Sequence, residues 1–533
     1  MSSASNLADL LARAAQESPD KVALVEAASG RRMTWAELDA EADRVARGLS
    51  ALGLVAGYRV MIALTNRVEF VTGYFGALRA RLVAVPVNPR ATTGEMVRMM
   101  ADCGARAVVA DLGTVTTVRS AVAGLEDALT GADEELRART VVPRVVVASA
   151  PALPGEAAWA DLVAEEGRAL PVPEDPEALA VLLYTSGTSG RPRAAMLSHR
   201  ALVANIEQAA AVDPPLITGD DVVLGVLPLF HVYGLNAVLG QVVRQRARMV
   251  LAEGFDVQGT LDVVEDEAVT VVPVAPPVFA YWRDVEDLPE RLRSVRVVLS
   301  GSAPLAPELV ARFEERTGIT VHQGYGLTEA APVVTSTRCS ATPKQGSVGA
   351  ALPGIELRLV DDAGHTPEGE DPGEIWVKGD NLFSGYWPDG ADGPDDEGWW
   401  PTGDVGFLDS EGDLFLVDRL KELVIVSGFN VYPVEVEDVI GELATVAEAA
   451  VIGIPDERTG EAVAAFVKGR PGTSLTPDEL AEEVREHCAA RLARFKQPSV
   501  VNVVDELPHT VTGKVAKGRL RATERRRHLG LLE

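Results

Sequence analysis

Apolar residues in the first 176 positions follow two alternating periods. At residues 35–52 and 68–80 they return every three to four positions, as one helix face requires. At 59–63, 83–87 and 107–110 they form short continuous runs, as strands buried on both faces do. Leu7, Leu10, Leu11 and Ala14 make a stripe that predicts a first helix. Alternation of this kind favours parallel sheets covered by helices. A second alternating block carries apolar strand candidates at 179–184, 222–227, 248–251, 269–274 and 295–299, separated by segments of helix length. From 346 to 418 the runs shorten and are broken by Gly, Pro and Asp, which predicts a small antiparallel barrel. Within it Phe407 and Leu408, a polar turn at 409–413 and residues 414–417 read as a hairpin. A compact α+β unit is expected after 418. There Thr476 and Glu479 form a capping-box pattern with Pro477 at the first helical position, opening a helix through Leu480, Val484 and Cys488. The expected fold class is therefore α/β: a large N-terminal domain over 1–420, with two doubly wound sheets and a small β-barrel, then a small α+β domain over 421–533.

Length and composition narrow this picture without changing it. A chain of 533 residues exceeds what one growing core supports. Hydrophobic residues at 47% and charged residues at 24% fit an ordinary globular protein and exclude disordered, collagenous and disulfide-scaffold classes. The apolar stretch at 269–282 is short and interrupted by Pro273, Pro276 and Pro277, so no integral membrane segment is expected. Asp9, Glu17 and Asp20 surround the N-terminal stripe, unlike a secretion signal, and a cytoplasmic location is expected. Cys103, Cys339 and Cys488 lie far apart, without the spacing of a zinc site or a disulfide framework. The net charge of −28 argues against a nucleic-acid partner, which needs a positive field. The acidic stretch 390–398 is expected to be a solvated loop. Lysine is confined to Lys21, Lys344, Lys378, Lys421, Lys468, Lys496, Lys514 and Lys517, so a lysine in a special turn is informative.

The most specific chemistry-bearing segment is Tyr184-Thr185-Ser186-Gly187-Thr188-Ser189-Gly190-Arg191-Pro192-Arg193, directly after an apolar strand. Glycines let backbone N–H groups approach phosphate oxygens, hydroxyls add donors, and the arginines compensate charge. It matches neither the Walker pattern nor the dinucleotide fingerprint. No GxSxG elbow of a hydrolase occurs among the chemistry-bearing motifs.

This loop resembles the signature of the adenylate-forming superfamily, which includes acyl-CoA synthetases, 4-coumarate-CoA ligases, firefly luciferase and nonribosomal adenylation domains. The resemblance covers essentially the whole chain, most like a bacterial fatty-acid- or aryl-CoA ligase. Further motifs follow in order: residues 228–234 around His231, Tyr233 and Gly234; Ser300-Gly301-Ser302-Ala303-Pro304; Gln323-Gly324-Tyr325-Gly326-Leu327-Thr328-Glu329; Thr402-Gly403-Asp404; Asp418-Arg419-Leu420-Lys421; residues 428–437; and Thr512-Gly513-Lys514.

The resemblance implies an ATP-dependent ligase that forms an acyl-adenylate with release of pyrophosphate and transfers the acyl group to coenzyme A. The alternative acceptor is a carrier-protein phosphopantetheine. A non-catalytic scaffold would have no use for Thr188, Glu329, Asp404, Arg419 and Lys514 together. It further implies that Thr185, Ser186, Gly187, Thr188, Ser189 and Arg193 hold phosphates, and that Thr188 and Glu329 meet Mg²⁺, a hard cation that prefers oxygen ligands. Tyr325 would stack on adenine, bordered by Ser302, Ala303, Pro304, Gln323, Gly324, Gly326 and Thr328, with Asp404 and Arg419 at the ribose. His231, Tyr233, Gly234, Ala275 and Gly301 would form the acyl pocket, where Gly234 leaves room for a longer chain. Ser427, Gly428 and Phe429 would contact coenzyme A, and Lys421 would be the hinge of a mobile C-terminal lid. Lys514 would bridge the attacking carboxylate and the α-phosphate. Residues 508–514 also resemble the pattern that lysine acetyltransferases recognise, and acetylation would remove the charge of Lys514. The chain departs from the pattern at Arg193, where lysine is usual, at Ala194, where glycine is common, and at Ile425 and Ser427, where plant ligases and luciferase carry lysines. Lysine at position 193 is expected to be tolerated or to improve activity.

Overall fold

A computed structural model describes residues 6–130, 134–168, 170, 175–185, 193–303, 305, 307–361, 363–367, 369, 371–419, 422, 424–426, 429–456, 460–492, 494–509 and 514–528. These residues form two compact units. The first comprises the described residues up to 185, 193–356 and 378–400; the second comprises 357–377 and the described residues of 401–533.

The first unit is built on two seven-stranded sheets. One runs in the order Ala157–Ala158, Arg144–Val147, Ala107–Ala110, Arg59–Ala63, Val83–Pro86, Leu179–Thr185 and Arg193–Ser198. Its pairs are parallel except the last, an antiparallel hairpin on one edge. The other sheet runs Thr320–Gln323, Val297–Ser300, Val271–Val274, Val222–Gly225, Arg248–Leu251, Val22–Glu26 and Arg32–Thr34, again parallel with one antiparallel edge strand. Runs such as Ala107–Ala110 and Val271–Val274 are buried at every position, which explains why they lack polar alternation.

Both sheets borrow from the other's stretch of chain. The hairpin at 22–34 belongs with strands far downstream, through Val25 opposite Val250. Conversely, strand Leu179–Thr185, expected to open the second block, closes the first sheet through Ala84 opposite Val181. Periodicity reports that a segment is a strand; it does not report its neighbour.

The helices follow their local chemistry. Trp35–Ala51 begins at a capping box formed by Thr34 and Glu37, and buries Trp35, Leu38, Ala42, Val45 and Leu49. Against it packs Val68–Arg79, a helix buried at every residue. The contact needs Gly76, since a Cβ there would stand 2.6 Å from Val45 Cγ1. Arg79 is tolerated in this interior because its guanidinium reaches Asp39 and, at 2.7 Å, Asp43. The first helix is Ala8–Glu17, with Leu10, Leu11 and Ala14 buried as expected. Its entry is fixed by the Leu7 N–H donating to His199 Nδ1 at 3.2 Å. Burial lowers the His199 pKa to about 4, keeping the ring neutral and able to accept.

Strands Glu356–Val360, Gly373–Lys378, Trp399–Leu408 and Leu414–Arg419, most of whose residues belong to the second unit, supply a four-stranded sheet, the curled half-barrel that stands for the expected barrel. The predicted hairpin is present, with Phe407 and Phe415 stacked at 4.8 Å. The α+β part carries Val424–Val426, Phe429–Val431, Val446–Asp456, Gly460–Gly469 and Val500–Val503 in one sheet. Helices Pro433–Gly441 and Pro477–Arg491 share a core with it through Val436, Ile440, Leu480 and Val484, each buried side chain contributing about 1.5–3 kcal/mol. The capping box at Thr476 and Glu479 forms as predicted. Among the described residues no helix is long and apolar enough to cross a membrane.

Candidate active site

The segment expected to bind phosphate joins, in the chain, the two strands of the edge hairpin of the first sheet. Thr185 and Arg193 are register partners, and the Thr185 hydroxyl donates to the Arg193 carbonyl at 3.3 Å, so the strands stay paired up to the loop. Ser186, Gly187, Thr188 and Ser189 lie outside the described residues. The hairpin is braced by the Tyr184 phenol, which donates to Asp102 Oδ2 at 2.7 Å. Burial raises the Asp102 pKa, and this hydrogen bond partly offsets it.

At the carboxyl ends of the other sheet, where ligands bind in open α/β sheets, two predicted motifs meet. Ser300 and Gln323 are register partners, and the Gly324 N–H donates to the Ser300 carbonyl at 3.3 Å. Ser302 stands just beyond with φ 74°, the left-handed region that costs a serine roughly 1–3 kcal/mol and clusters at functional sites. Ala303 follows it in the chain, and Pro304 lies outside the described residues. Gly324 and Gly326 allow a close hairpin: a Cβ would stand 2.7 Å from the Thr335 carbonyl oxygen at the first and 2.4 Å from that of Pro332 at the second. Tyr325, only 7% exposed, lies between them, its carbonyl accepting from Val334 and Thr335. The hairpin ends in the short helical turn Thr328–Ala330, and Glu329 on it is 8% exposed.

A carboxylate so nearly buried needs partners. The Tyr386 phenol donates to Glu329 Oε1 at 2.6 Å. The Arg193 guanidinium lies 3.8 Å from the centre of the Tyr386 ring, and its Nη2 donates to Asp392 Oδ2 at 2.7 Å. Tyr386 and Asp392 were not singled out from sequence. One signal was available: in a chain with only 5% aromatic residues, Trp376, Phe383, Tyr386, Trp387, Trp399 and Trp400 crowd into one stretch.

The expected acyl-pocket residues are partly brought together. A Cβ at Gly301 would stand 3.2 Å from the Tyr233 ring, so these two residues face each other. Val274 is the register partner of Ser300, which puts Ala275 and Gly301, each one residue further on, at the same rim. The Tyr233 N–H donates to His231 Nδ1 at 3.3 Å, so a neutral His231 carries its proton on Nε2, a donor suited to a carboxylate. Tyr233–Gly240 is wound as a π-helix, a rare form frequent at functional sites. Gly234 does not leave acyl space as expected. A Cβ there would stand 2.4 Å from the Pro228 carbonyl oxygen, so the glycine lets two backbone segments pack.

In the second unit, Asp404 and Arg419 occupy opposite positions of one antiparallel ladder. Asp404 is preceded by Thr402, whose hydroxyl donates to the Ile375 carbonyl at 2.8 Å and accepts from the Asp404 N–H at 3.1 Å. Phe429 begins a strand, and Lys514 is exposed ahead of helix Lys517–His528. Lys421, Ser427 and Gly428 lie outside the described residues.

A family model described as AMP-binding enzyme matches residues 11–387, and one described as AMP-binding enzyme C-terminal domain matches 435–514. The chain is 36% identical to 4-coumarate–CoA ligase 5 of Oryza sativa subsp. japonica, over 94% of this chain and 92% of that one. It is 34% identical to the long-chain-fatty-acid–CoA ligase of Yersinia pestis, over 98% and 94%. Among solved structures, ATP-bound MatB from Rhodopseudomonas palustris superposes with a TM-score of 0.85 at 32% identity, covering 97% of this chain and 99% of that one.

Proposed function

The chain belongs to the AMP-binding enzyme family, and from that membership we propose an ATP-dependent acid–thiol ligase. It joins a carboxylic acid to the α-phosphate of ATP, releases pyrophosphate, and passes the acyl group from AMP to the thiol of coenzyme A. The observation that carries this reading is the nearly buried Glu329, held on a glycine-built hairpin at the carboxyl end of a parallel sheet.

Mg²⁺ fits this donor set. Among the described residues no group of three His, Cys, Asp or Glu side chains could hold a metal alone, and Mg²⁺ is ordinarily held by one or two carboxylates, waters and substrate phosphates. Glu329 and the Thr188 hydroxyl would hold it, and bound there it would neutralise phosphate charge. Tyr325, Ser302, Ala303 and Gly324 would cradle adenine, Asp404 and Arg419 would take the ribose, and His231 would orient the acid. Residues 421–533 would act as a lid that turns about Lys421, bringing first Lys514 and then the coenzyme A contacts Ser427, Gly428 and Phe429 to the site.

Tyr233 and Gly301 favour a fatty or aryl acid, in keeping with the names of the relatives. A pyrophosphate-release screen over fatty, aryl and short-chain acids, with and without coenzyme A, tests the reading. No release with any acid refutes it; release with thioester formed only on a carrier protein selects the alternative acceptor. The protein acts in the cytoplasm in this reading, and Lys514 is a substrate for a lysine acetyltransferase. An acetyl donor and acetyltransferase that leave activity unchanged would remove that last point.

The environment of Arg193 reverses the expectation for lysine at that position. Arginine's planar group both covers Tyr386 and reaches Asp392, and a lysine point charge does less of each. Arg193→Lys is therefore expected to lower ATP–pyrophosphate exchange by about threefold to tenfold, matching a loss of about 0.5–1.5 kcal/mol. Exchange at or above the wild-type rate would show that the stacking has no part in catalysis.

A further inference from the structure

We propose that Tyr386 is a positioning residue that sets the metal-facing carboxylate and the phosphate-loop cation together, its phenol orienting Glu329 and its ring seating Arg193. The inference rests on the reading of Glu329 as the metal ligand.

Both faces of the argument are geometric. A carboxylate offers about four lone-pair sites on two oxygens, and an unrestrained one rotates about its last bond. The phenol at 2.6 Å from Oε1 removes that rotation. The Phe383 N–H also donates to the Glu329 carbonyl at 2.9 Å, so backbone and side chain of Glu329 are tied to the same short segment.

That segment is itself anchored to the phosphate-loop hairpin. Met196 N–H donates to Gly385 O at 3.0 Å, Ser384 N–H to Met196 O at 2.9 Å and Trp387 N–H to Ala194 O at 2.9 Å, so residues 384–387 extend the sheet beyond its edge strand. The turn behind it requires Gly385, with φ 92° and the Gly390 carbonyl oxygen 2.0 Å from where a Cβ would be. The edge of Phe383 against Tyr386 at 5.0 Å, and Trp400 against Phe383 at 5.1 Å, hold the ring. Tyr386 thus spans from the strand that begins at Arg193 to the hairpin that ends in Glu329.

A merely structural tyrosine would affect stability alone; a positioning one must affect how strongly Mg²⁺ promotes nucleotide binding. The full-length protein, Tyr386→Phe, Glu329→Gln and the double variant are titrated calorimetrically with ATP, once with excess Mg²⁺ and once with EDTA. The ratio of the two affinities is the readout, with thermal melts recorded alongside. Tyr386→Phe keeps the ring and its seat for Arg193. It is expected to reduce the Mg²⁺-dependent gain about tenfold, as loss of an outer hydrogen bond to a metal ligand does. Affinity in EDTA should stay within about twofold, and the double variant should be no worse than Glu329→Gln, because the phenol acts on Mg²⁺ only through the carboxylate that Glu329→Gln already removes. If Glu329→Gln keeps the wild-type gain, the metal-ligand reading fails. If Glu329→Gln loses the gain while Tyr386→Phe keeps it, that reading stands and the positioning role is overturned. Additive losses in the double variant also overturn it. Should Tyr386→Phe melt too early to titrate, Arg193→Gln takes its place: an Mg²⁺-dependent gain equal to wild type would overturn the joint setting of cation and carboxylate.

Discussion

Lys514→Ala is expected to lower acyl-adenylate formation by on the order of 100-fold or more, while thioester formation from supplied acyl-adenylate stays within about threefold. As the acid attacks, negative charge moves between its oxygens and the α-phosphate, and an ammonium bridging the two stabilises the transition state more than the ground state. Lys514 suits that task because it is exposed. Its neighbour Lys517 pairs with Glu437 at 2.9 Å and with Glu422 at 3.2 Å. Lys517→Ala is the matched control: it should lower the melting temperature and slow both half-reactions alike. Lys421→Pro, which fixes φ at the proposed hinge, should show the opposite defect from Lys514→Ala, sparing adenylation and blocking the thioester step. Single-turnover assays of each half-reaction decide the matter. Equal loss of the same half-reaction in both variants, with folding verified by circular dichroism, would falsify the alternating lid.

Glu329→Gln should lower ATP–pyrophosphate exchange at saturating ATP by on the order of 100-fold, with the fold intact. The change removes one negative charge and no volume. The amide oxygen still accepts from the Tyr386 phenol, so the substitution leaves that half-buried donor with its partner. Glu329→Ala is a different experiment, since it leaves a half-buried phenol without this acceptor, at a cost of about 1 kcal/mol. Exchange measured across Mg²⁺ concentrations separates the two effects: loss of the metal ligand raises the Mg²⁺ requirement, whereas loss of stability does not. A Glu329→Gln variant with unchanged exchange would remove this residue from the site.

What the chain announces locally, the fold repeats. The capping boxes at Thr34 and Thr476, the apolar helix stripes and the strands buried on both faces all follow from chemistry within a few residues. Close backbone approaches were legible where glycines concentrate, because a chain that passes against another strand needs them; Gly324 and Gly326 are instances. Glycine is ambiguous in that respect, and Gly234 shows it: a missing side chain signals a close approach, without saying whether to substrate or to the protein's own backbone. Partners distant in sequence were not legible. The aromatic crowding around Tyr386 does not name Glu329 as its acceptor, and Asp392 sits in a stretch that reads as a solvated acidic loop, although it pairs with Arg193. Sheet membership failed for the same reason, since pairing is a property of two segments.

The hairpin of Val22–Glu26 and Arg32–Thr34 has a consequence for synthesis. It leaves the ribosome early, yet its neighbour in the sheet is Arg248–Leu251, with Val25 set against Val250. A two-stranded hairpin is marginal alone in water, and pairing across so long a stretch of chain is slow because loop closure must precede any gain. Truncated nascent chains that stop before residue 248 therefore expose an apolar strand with no seat, at the stage when aggregation competes with folding. The piece of its sheet that is made first is among the last to find a neighbour.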